Sequence, residues 1–221
     1  MPHETSLKFD PDGQAKPYPG NTVISFIRED RFAVYRLAKE VSQRFRSSGL
    51  ANCYAFLPYE SFHVTVLKLC REIDRGTPRW PALLPPDASF AEVDRYLQSA
   101  FERTTQPGPI MMRAYACEDC NIRLEPAAES DARRIALYRE QLAQAAGLRH
   151  EDHDHYSFHL TFSYRLAALD AQQEATAQRI SGEYTDFLRR EEIVFEMTEP
   201  VFAIFNDMLH YDTDLRTRSK T

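Results

Sequence analysis

The pattern Ser61-Phe62-His63-Val64-Thr65 returns ninety-six residues later as Ser157-Phe158-His159-Leu160-Thr161, and this repeat constrains the chain more than any other feature. Side chains on a strand alternate between its two faces. Each copy therefore predicts a strand with its histidine and threonine on one face and its apolar residues, extended by Val66 or Phe162, on the other. Phe62 and Phe158 fall on the apolar face and read as packing residues. A single histidine on a half-buried strand is commonly a satisfied core residue. Reuse of the whole pattern within 221 residues points instead to duplication and to two strands that serve one site.

The chemistry of such a site follows from the residue types. An imidazole with an ordinary pKa of about 6.5 accepts or donates a proton near neutrality, so two converging histidines, His63 and His159, can act as base and acid in one reaction. The hydroxyls of Thr65 and Thr161 are suited to the non-bridging oxygens of a phosphate, whose charge must be accommodated in a transition state. Tyr54, Tyr156 and Ser163 lie near the motifs and are candidates to line the same cleft. Leu67 occupies the position in the first copy that Ser163 occupies in the second.

The elements around the motifs alternate in type. A Val- and Ile-rich strand over 21–27 follows the Pro19-Gly20 turn, and a helix capped by Asp30 carries Ala33, Leu37, Val41 and Phe45 to a stop at Gly49. Strands over 53–57 and 63–69 come next. Ser89-Phe90-Ala91-Glu92 is a capping box opening a helix to Phe101, strands lie near 110–116 and 122–125, and a helix over 130–146 stops at Gly147. The second motif strand, 157–165, a helix over 170–189 and strands over 193–197 and 201–205 complete the order. Residues 71–88 show neither period; they carry Arg71, Arg75, Arg79, Trp80 and four prolines, so they read as a long loop in which Trp80 either stacks on a base or pins the loop to the core, the second being favoured.

Composition narrows the function. A chain with 43% hydrophobic residues can bury a sizeable core, and a net charge of −6 argues against extended nucleic-acid binding, which needs a dense cationic surface. Of the 27 basic residues, 22 are arginine, a residue suited to bidentate phosphate contacts. No export-signal pattern opens the sequence and no apolar run is long enough for a bilayer, so a cytoplasmic protein without membrane association is expected. The four cysteines, Cys53, Cys70, Cys117 and Cys120, read as buried thiols rather than as disulfides or a zinc site. The run His150-Glu151-Asp152-His153-Asp154-His155 is dense in metal-ligand types, and its bland reading is a solvated charged loop.

Paired His-x-Thr-hydrophobic motifs half a chain apart resemble the two-histidine (2H) phosphoesterase superfamily, which includes RNA 2′,3′-cyclic phosphodiesterases, 2′,5′-RNA-ligase-like proteins and AMP-binding relatives. Leu7-Lys8-Phe9-Asp10 and Pro19-Gly20-Asn21-Thr22 look like a less characterised bacterial and fungal branch. The resemblance implies an α+β, bilobal, duplicated fold, with two antiparallel sheets facing across a central cleft and helices outside. Residues 1–221 would form a single domain of two pseudo-symmetric lobes. It implies a monomeric, cofactor-free and metal-independent enzyme that hydrolyses a cyclic or 2′-5′ phosphodiester of a nucleotide or RNA end through His63, His159, Thr65 and Thr161. Two other readings stand beside it: a non-catalytic nucleotide-binding sensor, and a metal-dependent hydrolase built on the His150–His155 cluster.

Overall fold

A computed structural model describes residues 1–29 and 33–218, so the expected helix cap at Asp30 lies outside the described residues. The element order is α1 (His3–Ser6), β1 (Gly20–Phe26), α2 (Ala33–Phe45), β2 (Tyr54–Phe56), β3 (His63–Arg71), α3 (Phe90–Glu102), β4 (Ile110–Cys117), β5 (Asn121–Pro126), α4 (Glu129–Ala146), β6 (His159–Thr161), β7 (Ser163–Arg165), α5 (Ala171–Glu191), β8 (Val194–Met197) and β9 (Val201–Phe205). This is an α+β fold. Its two antiparallel sheets are unequal: among the described residues, seven strands run in the order β8-β4-β5-β6-β3-β1-β9, and β2 and β7 form a separate two-stranded ribbon.

The helices begin and end where local chemistry requires. Ser89 caps α3 by accepting from the Glu92 amide while Glu92 returns to the Ser89 amide, and Asp170 and Gln173 make the same reciprocal box on α5. Gly147 closes α4 in the left-handed region with φ of 61°. No helix among the described residues is long and apolar enough to cross a membrane.

Two departures from regular strands shape the centre of the large sheet. The expected continuous strand over 157–165 is split at Phe162. That side chain is fully buried against Phe45, its amide donates to the Cys120 carbonyl, and its carbonyl accepts from the Leu57 amide. The chain thus leaves the large sheet after Thr161 and joins the ribbon at Ser163.

The second departure is in β3, whose pairing with β1 shifts register twice. Val66 is the extra residue of the first bulge, and two residues between Lys68 and Arg71 stand opposite the single Asn21 in the second. The first bulge turns Leu67 into the core and Lys68 outward, and the second restores the phase so that Arg71 shares the side of His63 and Thr65. The expected cleft position of Leu67 is therefore taken by Lys68. A bulge frees backbone groups from the ladder, and four groups around these two bulges are met by side chains. The Val66 carbonyl accepts from buried Arg139, the Leu67 carbonyl from Thr22 Oγ1, the Leu69 carbonyl from His150 Nε2, and the Cys70 amide donates to Asn21 Oδ1.

Gly20 opens β1 beneath the Phe205 ring. A Cβ there would sit 2.3 Å from Phe205 Cζ, and that ring is hemmed in by Tyr18 and Tyr211. Gly20→Ala is expected to cost about 1–3 kcal/mol through overpacking, read as a lower denaturant midpoint; an unchanged midpoint would show that the ring yields freely.

Candidate active site

β3 and β6 lie side by side in the middle of the sheet, antiparallel, with Val64 paired to Leu160. That register puts His63 across from Thr161 and Thr65 across from His159, so the four polar side chains form a square whose histidines occupy one diagonal. The alternate residues Val64, Val66, Leu160 and Phe162 are fully buried on the other side. All four members of the square line one cavity of about 500 Å³.

The two imidazoles are held in the same way. His63 Nδ1 lies 2.7 Å from the Ser61 carbonyl, and His159 Nδ1 lies 2.8 Å from the Ser157 carbonyl. A carbonyl oxygen only accepts, so in both rings Nδ1 carries the proton and the neutral tautomer leaves Nε2 with a free lone pair. The serine of the repeat contributes its backbone to this lock. A tyrosine ring packs on each imidazole: Tyr211 with centroids 4.3 Å from His63, and Tyr156 at 6.2 Å from His159.

Burial pushes the His63 imidazole down to about 4, with His159 acting in the same direction and the Ser61 carbonyl opposing. His159 is lowered less strongly. Burial is again the main cause, Arg123 and Lys68 add to it, and the Ser157 carbonyl and the Glu118 carboxylate favour its charged form. Both rings are neutral at pH 7 in the free protein, and His159 is the one that takes up a proton first as pH falls.

The threonines have second partners. Thr161 Oγ1 donates to Asn121 Oδ1 at 2.7 Å from the neighbouring β5, where Asn121 pairs with Thr161. Thr65 engages the Tyr156 hydroxyl, whose pKa burial pushes up to about 12. Neither Asn121 nor Tyr211 stands out in the sequence. Asn121 becomes visible only once β5 is known to pair with β6, and Tyr211 arrives from the segment after β9.

Of the other sequence candidates, Tyr156 lines the cavity. Tyr54 does not: it stands on the ribbon, packs on Phe45 and donates to Asp119. Ser163 is fully buried, and its hydroxyl donates to the Asp119 carbonyl, because the break at Phe162 has carried it off the large sheet. Trp80 is buried against Phe90 with its Nε1 donating to the Pro85 carbonyl, and Arg75 lies 4.4 Å over its ring, so it pins the loop. Arg71, which ends β3, and Arg79, from that loop, reach the cavity.

The His150–His155 cluster is divided between β3 and its own surroundings. His150 meets the Leu69 carbonyl, Asp152 pairs with Lys68, Asp154 pairs with Arg149, and the buried His153 gives its carbonyl to Arg139. Among the described residues no group of three or more His, Cys, Asp or Glu could hold a metal ion, and the four cysteines are free thiols.

Residues 8–123 match the family model 2H-phosphodiest, described as a domain of unknown function (DUF1868). The chain belongs to this 2H phosphodiesterase family. The matched span contains the first motif; the second lies beyond it. The chain is also similar to the crystal structure of a conserved protein of unknown function, ATU0111, from Agrobacterium tumefaciens strain C58, at 30% identity over 96% of this chain and 91% of that one, with a TM-score of 0.88. Looser likenesses are to TT0787 of Thermus thermophilus, at 15% identity over 83% and 86% of the two chains with a TM-score of 0.43, and to a protein described as a phosphoesterase, at 12% identity over 89% and 94% with a TM-score of 0.47. Comparison with curated proteins gave no match. Family membership supports phosphodiesterase-type chemistry.

The histidine environments can be read directly by NMR titration. His63 is expected to stay neutral down to about pH 4, and His159 to titrate above His63 but below the ordinary 6.5. Replacing Arg123 by Gln removes a positive charge near His159 and should raise its titration point; an unmoved or lowered curve would remove Arg123 from the account.

Proposed function

We propose that the protein is a metal-independent phosphodiesterase that hydrolyses a cyclic or 2′-5′ phosphodiester of a nucleotide or RNA end, with His63 as general base and His159 as general acid. The observation that carries this reading is the square of His63, Thr161, Thr65 and His159 on one cleft wall, with both imidazoles turned by backbone carbonyls to offer Nε2.

The assignment of roles rests on the surroundings. The strongly depressed His63 stays neutral and accepts the proton of the attacking water at Nε2. The water oxygen bonds to phosphorus as the bond to the leaving oxygen breaks, and protonated His159 delivers its Nε2 proton to that oxygen, yielding a phosphate monoester and an alcohol. Glu118 favours the charged form of His159, and a phosphate anion in the square adds to that preference. Thr65 and Thr161 donate to the non-bridging oxygens. Thr161 is freed for this when the Asn121 amide turns so that its Nδ2 donates to Thr161 Oγ1.

The test is turnover of 2′,3′-cyclic nucleotides and short cyclic-phosphate RNAs in excess chelator. His63→Ala and His159→Ala should each lose about 10²–10⁴ in kcat with intact folding. Because the free enzyme must hold His63 neutral and His159 protonated, kcat/KM should fall as pH rises above 6.5 and also as it drops through about 4. Full activity in either variant, dependence on added metal, or a kcat/KM that climbs from pH 6.5 to 8 would overturn the mechanism. A non-catalytic sensor would bind these nucleotides and leave them intact.

A further inference from the structure

The cleft is larger than the square requires. Its cavity of about 500 Å³ continues from the histidines past Lys68 and Arg71 to Lys8 and Tyr18, with Tyr164, Phe205 and Tyr211 in its wall. A phosphodiester at the square leaves this aromatic end unused, where the cations Lys8 and Arg71 outnumber the one carboxylate that lines the cavity beside them, Glu4, which lies 3.9 Å from Arg71.

Lys8 is the unbalanced member. Its Nζ lies 4.8 Å from the Tyr164 ring centroid and 5.7 Å from that of Tyr18, and the Arg71 guanidinium lies 5.7 Å from the same Tyr18 ring. Arg71 is committed, bonding Asp74 through Nε and donating to the Tyr18 hydroxyl. Lys68 is paired with Asp152. The Lys8 side chain makes no hydrogen bond or ion pair with any described residue. Burial lowers its pKa; Glu4 opposes this, while Arg71 and Lys68 push the same way as burial. Tyrosine faces offset part of the cost of such an ammonium, but do not neutralise it.

This placement is built, not incidental. The Phe9 side chain, next in sequence, is buried and packs 5.2 Å from the Tyr164 ring, so Lys8 is sent toward the cleft. A tight turn fixes the segment: Asp10 Oδ1 accepts from the amides of Asp12 and Gln14, and the Lys8 carbonyl accepts from the Lys16 amide. Lys68 links the two ends of the cavity, since its charge is felt by both His159 and Lys8.

We infer that Lys8, flanked by Arg71 and Lys68, is a second anion subsite, and that the preferred substrate is a nucleotide carrying a phosphate monoester in addition to the diester cleaved at the histidines. This inference rests on the phosphodiesterase reading above. The aromatic wall between the two ends suits the flat base of such a molecule.

The experiment compares kcat/KM for adenosine 2′,3′-cyclic phosphate with and without a 5′-phosphate, in wild type, Lys8→Met and Lys8→Arg. Wild type should favour the 5′-phosphorylated compound by about tenfold or more, chiefly through KM. Lys8→Met should shrink that ratio to within about threefold, and Lys8→Arg should retain it in part. Equal kcat/KM for the two compounds in wild type, or a preference that survives Lys8→Met, overturns the subsite. If wild type turns over neither, the catalytic reading has failed separately. Calorimetry then decides the subsite: adenosine 3′,5′-bisphosphate binding more tightly than adenosine 3′-monophosphate in wild type but not in Lys8→Met supports it, and equal affinities overturn it.

Discussion

The pairing of Val64 with Leu160 is the contact on which the candidate site depends. Two strands nearly a hundred residues apart in sequence meet there, and the meeting point alone determines which side chains face one another. A slip of one residue would turn one strand's polar pair into the apolar layer and its apolar pair into the cleft. Burial resists that slip, because Val64, Val66, Leu160 and Phe162 are fully enclosed. The outer neighbours, β1 beside β3 and β5 beside β6, then hold the pair from both sides. Hydrophobic burial on one face thereby positions the polar chemistry on the other.

The double bulge of β3 shows how the strand brings a second kind of chemistry to the cleft. A regular strand would have put Lys68 against the core and Leu67 in the cleft. The irregularity exchanges them, and the exposed backbone is answered by Arg139 from α4, Thr22 and Asn21 from β1, and His150 from the segment after α4. The acidic and histidine-rich run before the second motif takes part in this support: it gives one imidazole to β3 and one carboxylate to Lys68. A segment whose composition suggests metal binding therefore serves as a polar clamp on the neighbouring strand.

Much of this is legible in the sequence for definite reasons. The faces of His63, Thr65, His159 and Thr161 follow from strand alternation, which holds wherever the ladder is regular. The helices over 90–102 and 129–146 follow from a capping box and from Gly147. What stays hidden depends on long-range or irregular geometry. Bulges carry no periodic signature, so alternation alone puts Leu67 rather than Lys68 in the cleft. The break at Phe162 removes Ser163 from the cleft for the same reason. Asn121, Tyr211 and Lys8 come from other parts of the chain, and only the folded sheet brings them to the motifs.

The carbonyl locks on the two imidazoles have a consequence for repeated cycles. With Nδ1 of each ring held by a backbone carbonyl and both residues lining the cleft, Nε2 is the nitrogen left for proton exchange in each. On the proposed chemistry, every round ends with the proton on His63 and none on His159, the reverse of the starting arrangement. The square's near-symmetry would permit the next round to run backwards in role, but Lys8 stands away from the square, beyond Lys68, and gives the cleft a direction. On that chemistry water resets both Nε2 atoms once product no longer covers them, so emptying the cleft and restoring its protons become one event.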